Sequence, residues 1–311
     1  MRSLPAAFTL LLAATLPAAA SGLAFVVNSA GASVSLVDMT SGKELRRIPA
    51  LREPHHLALS PDGRSLLVGD TVGNEMLFLD PGTGALQRRV PVVDPYQLAF
   101  SPNGKLLTVA GLARNQIDIY DAKTMALVKR FPAASMPSHI AYSPDSSVAY
   151  VSLQGTDSLT AIDLNRMVTL WTRPVGKTPA GVLYHNDMVM VADMGADDIA
   201  IVDPVDGTVK RRLKVGRGAH QLFLSPDGRT IWVNARVEGT TSALDAHTLE
   251  IKRVYKIPGG PDDIAFAPDG KLWITRRWAE KVAVLDPATG ATQTIDVGRS
   301  PHGIFLNARA E

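Results

Sequence analysis

The feature that most constrains this chain is an aspartate that returns at an almost fixed interval. Asp38, Asp80, Asp121, Asp163, Asp203, Asp245 and Asp286 stand 40 to 42 residues apart. Twelve positions before each lies a β-branched apolar residue: Val26, Val68, Val109, Val151, Val191, Val233 and Ile274. Seven copies without a slip in register do not come from composition alone. A repeat of this length that carries four strands is the mark of a propeller blade.

The stretch from Glu53 to Val90 shows the whole unit. Pro54 to Leu59 runs into the turn Ser60-Pro61-Asp62-Gly63, then Leu66 to Val68, a polar loop, Met76 to Leu79, and the turn Asp80-Pro81-Gly82-Thr83-Gly84 before a basic run. Pro presets φ at the second turn position and Gly supplies the left-handed residue that closes a hairpin. The sequence therefore predicts an all-β fold: a seven-bladed β-propeller of four-stranded antiparallel blades, one domain over residues 21–311. Blade one lacks its innermost strand. Pro301-His302-Gly303-Ile304-Phe305-Leu306 matches Pro54 to Leu59, so the C-terminal strand is expected to complete blade one and close the ring. Closure removes the open sheet edges that invite aggregation. Blade five diverges most, with Pro179-Ala180-Gly181-Val182 and the shortened turn His185-Asn186-Asp187.

Residues 1–20 lie outside the repeat. Arg2, the apolar run Leu4 to Leu16, Pro17 and Ala18-Ala19-Ala20 have the order of a secretory signal, and the run is too short for a stable membrane anchor. With no Cys, neither a lipid-modified N-terminus nor a disulfide is available. A periplasmic or secreted protein is expected, with no membrane insertion after cleavage. The formal net charge is +2 and no charge block or Gly/Ser linker divides the chain. That speaks against nucleic-acid capture and polybasic membrane contact. A monomer is the expected state.

Topology says where a site would sit. The loop after each second strand and the blade-to-blade connection share a face with the Pro end of the inner strand, whereas the Ser-Pro-Asp-Gly and Asp-x-x-Thr-Gly turns share the other. Turns of the second face obey hairpin rules; the first face carries the idiosyncratic residues. Two ring positions follow each Pro. The first reads His55, Tyr96, Ser138, Ala180, His220, Asp262, His302, and the second His56, Gln97, His139, Gly181, Gln221, Asp263, Gly303. Five of the seven His of the chain fall in these fourteen positions, so repeat position governs where His occurs. His185 and His247 fall in turns of the opposite face and are read as ordinary turn residues. The second-strand loops add Asn28, Asp70, Asn115, Asp193, Asp197, Asp198, Arg236, Arg276, Arg277 and Trp278.

One reading is a zinc or copper site at the channel mouth. His302, His55, His220 and Asp262 come from four consecutive blades of the closed ring, and imidazole and carboxylate are normal ligands for those metals. Candidate ligand-binding residues are Tyr96, His139, Asp193, Arg276, Arg277 and Trp278. The competing reading is structural: each inner-strand His hydrogen-bonds the neighbouring blade and packs behind its Pro. Trp232 and Trp273, inside second strands, read as packing. Arg46, Arg47, Arg88, Arg89, Lys129, Arg130, Lys210 to Arg212, Lys252 and Arg253 read as outer-strand charges that block edge pairing. No Gly-x-Ser-x-Gly, phosphate loop or His-Glu-x-x-His is present.

The frame Pro-x-x-apolar, Ser-Pro-Asp-Gly, Leu-x-Val and apolar-x-apolar-Asp resembles the YVTN-type, YncE-like seven-bladed propellers, which are secreted or periplasmic. The resemblance covers residues 23–311. It implies the fold strongly and the chemistry weakly. It brings in a group associated with quinoprotein (PQQ-dependent) alcohol oxidation, and the frame is similar to the haem d1 propellers of denitrification. Without Cys-x-x-Cys-His there is no c-type haem domain, and the Trp-Asp and Gly-His marks of WD40 blades are missing. The expected function is a periplasmic binding or accessory module for a small molecule or a periplasmic protein, beside a redox or alcohol-oxidation system. Two alternatives stay open. One is a metal-dependent hydrolase or lyase of the lactonase or streptogramin-lyase kind, using the His/Asp rim. The other is a carrier or assembly factor for a redox cofactor.

Overall fold

The computed structural model describes residues 21–49 and 52–309; the expected signal, residues 1–20, lies outside them. Seven four-stranded antiparallel sheets form the ring. The one helical segment among the described residues is a single 3₁₀ turn, Gln154–Thr156. None of the helices there is long and apolar enough to cross a membrane.

The repeated Asp has a local cause. Its side chain accepts backbone N–H groups two and three residues on: Gly82 and Thr83 onto Asp80 at 3.0 and 2.8 Å, Lys123 and Thr124 onto Asp121 at 3.1 and 2.7 Å. The turn then closes with Gly84 N–H donating to the Asp80 carbonyl at 2.7 Å, Gly84 being left-handed at φ 70°. Asp is favoured there because a short carboxylate folds back on its own turn. Its apolar partner twelve residues earlier is buried in every blade, from 0 to 1 % exposed. The shortened turn of blade five is a two-residue hairpin. Asn186 and Asp187 both take positive φ, 48° and 56°, while His185 pairs with Met188. Asn and Asp tolerate that geometry better than other side chains.

The blades pack face to face. Seven apolar clusters fill the seven blade interfaces, for example Phe25, Val34, Leu36, Val68 and Leu77 between blades one and two. Trp232 and Trp273 belong to these clusters, as expected. The last strand, Pro301–Arg309, pairs antiparallel with Ser21–Asn28, the first, and completes blade one. Ile304 packs into the cluster shared with blade seven and Phe305 into the one shared with blade two.

Outer strands are mostly exposed, in keeping with edge protection, but two of their arginines reach buried carboxylates. Arg130 forms two 2.8 Å hydrogen bonds to the fully buried Asp118, and Arg212 reaches Asp193 and Asp198 at 3.2 and 3.1 Å.

Candidate functional site

A β-bulge builds the centre of the ring. In six of the seven blades the register between inner and second strands slips by one residue just after the Pro position. An unbroken strand would send successive side chains to opposite faces. A bulge bends the strand and re-aims a side chain. His55 and His56, adjacent in sequence, thus both reach the axis, with ring centroids 5.2 Å apart.

Six rings from five blades meet there. His302 lies 4.0 Å from His55 and 4.4 Å from His56, centroid to centroid. Tyr96 lies 4.0 Å from His55, and His139 lies 5.3 Å from both His56 and His220. The five histidines and Asp262 are between 0 and 4 % exposed. The ring positions therefore plug the axial channel below its mouth, where the sequence reading had placed an open rim. Tyr96 is less enclosed, and also lines a cleft of about 460 Å³ between blades two and three with Glu53, Asn74, Asp94 and Arg114.

Asp262 is the electrostatic hub. Its Oδ1 lies 2.9 Å from His220 Nδ1 and against the Arg236 guanidinium; its Oδ2 lies 3.0 Å from His302 Nδ1 and 3.4 Å from Arg277 Nη1. Both imidazole contacts are at hydrogen-bond distance, but the oxygen lies off the ring N–H direction, so each Nδ1 faces the carboxylate without a hydrogen bond. Arg236 also donates to His220 Nε2 at 2.7 Å, which satisfies that nitrogen of the ring. Burial opposes the charge on Asp262, yet His302, Arg236 and His220 together hold its carboxyl well below the usual range. Its neighbour goes the other way. Burial, then the charge of Asp262, raises Asp263 to about 8, while its oxygens accept the N–H groups of Ile264 and Ile304 at 2.9 and 3.3 Å. Asp263 is thus a neutral clamp between blade seven and the closing strand. Burial holds His55, His56, His139 and His302 well below their ordinary value, so these rings are neutral at pH 7.

Four of the neutral rings carry nitrogens with no hydrogen-bond partner: His55 Nδ1, His56 Nε2, His139 Nε2 and His302 Nε2. His139 is oriented by Ser138 Oγ, 2.6 Å from its Nδ1, which in turn accepts from Gln154. Bare imidazole nitrogens in a buried cluster are costly unless something fills the gap between them.

The candidates named from sequence separate clearly. His55, His139, His220, Asp262, His302, Tyr96 and Arg277 converge on the axis. Arg276 instead donates to the Pro258 carbonyl at 2.6 Å, and Trp278 lies exposed over Gly260. Asp193 sits against Gly176 and Arg212, apart from the cluster. Asp70, at the equivalent place in blade two, accepts the N–H groups of Arg52 and Glu53, so this position serves the loops. Two contributors were among the ring and loop positions read from the sequence without being named as site residues, His56 and Arg236. The signal for His56 was its adjacency to His55 directly after the Pro.

A family model described as YNCE-like beta-propeller matches residues 2–311. Protein NirF of Pseudomonas aeruginosa is 25% identical over 192 residues; the match spans 56% of this chain and 49% of NirF, so less than two thirds of that relative is covered. Among solved structures, a functionally unknown protein from Desulfotomaculum acetoxidans DSM 771 superposes with a TM-score of 0.79 at 13% identity, over 92% of this chain and 99% of its own. Dihydro-heme d1 dehydrogenase NirN, solved in complex with DHE, gives 0.68 at 15%, over 91% and 75%. Kuenenia stuttgartiensis hydrazine synthase gives 0.67 at 18%, over 88% and 92%. Likeness at these identities speaks to the fold alone.

Proposed function

We propose, for a chain that belongs to the YNCE-like β-propeller family, that it is an accessory binding protein of the periplasm, holding a small ligand of a redox or cofactor pathway at its axial histidine cluster. The observation that carries this reading is the set of neutral, partner-free imidazole nitrogens gathered from blades one, two and four. Such groups bind an electron-poor centre or donate to an anionic one. Arg236 and Arg277 give the same end of the channel a net positive charge once Asp262 is counted, which suits an acidic ligand. Among the fold relatives NirN is named for acting on dihydro-heme d1, and cofactor handling is therefore the form of this proposal to test first.

The hydrolase or lyase alternative needs a base at the site. Asp262, ion-paired by two guanidiniums, is a weak one, since a carboxyl held so acidic takes up a proton poorly. The test is to recover the mature protein from the periplasm of its native host and analyse it by native mass spectrometry and absorption. A bound small molecule that is lost on His139→Gln supports the reading. A ligand retained by that variant, or turnover of lactone substrates that depends on Asp262, overturns it.

A further inference from the structure

We infer that His55, His56 and His302 form a three-histidine site for a transition metal, copper in preference to zinc, with Asp262 as the carboxylate behind His302. The inference deepens the binding reading above and rests on it for the location only. One nitrogen from each of these rings lies within 4.8 Å of the others. The rings are inclined to one another at 79°, 54° and 50°, so they are not a stack. His55 Nδ1, His56 Nε2 and His302 Nε2 are buried and have no hydrogen-bond partner.

The tautomer of His302 follows from its surroundings. Its Nδ1 faces the Asp262 carboxylate, with Oδ2 at 3.0 Å, and that negative charge favours the proton on Nδ1 and leaves the Nε2 lone pair free. A carboxylate behind a ligating histidine fixes ring orientation and raises ligand basicity. Arg236 and Arg277 in turn fix the carboxylate. His220 is set aside as a ligand because Arg236 takes its Nε2 and its Nδ1 is turned to the Asp262 carboxylate at 2.9 Å, away from the three-histidine group. Asp262 is set aside because both of its carboxylate oxygens already lie against His220, His302 and the two guanidiniums.

Metal–nitrogen bonds of about 2.0–2.1 Å put three tetrahedral nitrogens roughly 3.3 Å apart, so the rings close slightly on binding. The fourth position stays open to a ligand. Since the one full negative charge nearby is shared with two arginines, the metal is held by imidazole affinity. That selects copper over zinc, and both over calcium or magnesium.

The test uses the untagged mature protein, stripped of metal and titrated with copper and zinc by calorimetry, with bound metal counted by mass spectrometry. His56→Gln and His220→Gln are run beside it, after circular dichroism and melting establish that each variant is folded. One equivalent of copper is expected, weakened about 100-fold or more in His56→Gln and clearly less in His220→Gln, which removes no ligand, and Asp262→Asn is expected to cost about 10–100-fold. Loss in His220→Gln with His56→Gln intact overturns this ligand set. Absence of binding, or equal binding in all variants, overturns the metal site. A periplasmic small molecule still released by His139→Gln would in that case leave the binding reading standing.

Discussion

Removing the closing strand, residues 301–311, is the sharpest test of how this ring is held. The strand forms seven register pairs with Ser21–Asn28 and supplies Ile304, fully packed, with Phe305 and Leu306 half-buried on opposite faces. Full burial of Ile304 is worth about 1.5–3 kcal/mol, and the two half-buried side chains about half as much each. The sum, roughly 3–6 kcal/mol, is an upper estimate because an unfolded chain already buries some surface. The lost ladder adds about 0.5–1.5 kcal/mol per hydrogen bond, so at least about 5 kcal/mol is at stake. Domains of this kind carry about 5–15 kcal/mol in all. The truncated protein should therefore melt about 10 °C or more below the full mature chain, or fail to fold, at about 2–4 °C per kcal/mol. The milder Ile304→Ala, expected to cost about 2–5 kcal/mol, should fall between the two. Melting is followed by circular dichroism at 218 nm, a wavelength that reports strand content. A truncated protein that melts within about 2 °C of the full chain would refute the closure argument.

Further predictions concern charge and processing. Arg236→Met leaves Asp262 with one guanidinium. Breaking a buried pair costs about 3–5 kcal/mol and Arg277 retains part of it, so a smaller loss is expected, and Asp262→Asn in the same chain should recover some. An unchanged melting temperature for Arg236→Met would count against the hub. Burial raises the Asp193 carboxyl to about 7, above its unfolded value of about 3.9. The folded state then holds that proton more tightly, so this residue's contribution is best below about pH 4 and declines as pH rises to about 7. Asp193→Asn should remove the decline, at most about 4 kcal/mol, making the variant relatively more stable at pH 8 than at pH 5 in urea melts. The same difference at both pH values would mean that Asp193 ionises normally. The exported protein should begin at Ser21, and an intact Met1 by mass spectrometry would overturn the signal reading.

The fold was legible because its determinants are local and repeated. Each Asp folds back on its own turn and each partner Val or Ile lies in the second strand, so spacing alone carries the architecture. The site was legible only in part. The ring positions could be read from the repeat, and with them the convergence of His55, His220, Asp262 and His302. The bulge after the Pro could not, because it depends on hydrogen bonding between strands. Without it, His56 looks as if it faces a neighbouring blade. The partnership of Arg236 with Asp262 was hidden for a related reason, since it joins a loop of blade six to the inner strand of blade seven. Depth was the remaining error. A position at the end of an inner strand reads as a rim until the rings of five blades are seen to fill the channel. Asp193 was misleading because a carboxylate at the end of a second strand serves the loop beside it.

The closing strand has a consequence for the order in which the molecule matures. His302 lies in the strand that closes the ring, whereas the rings it meets, His55 and His56, belong to the first complete repeat and are made far earlier. During synthesis or secretion, blades two to seven can form one after another, but the axial cluster stays incomplete until the final residues arrive. A chain cut short by even a dozen residues lacks both the seal of the ring and a member of its central site. A ligand held by His302 together with His55 and His56 would thus report that the closing strand has docked.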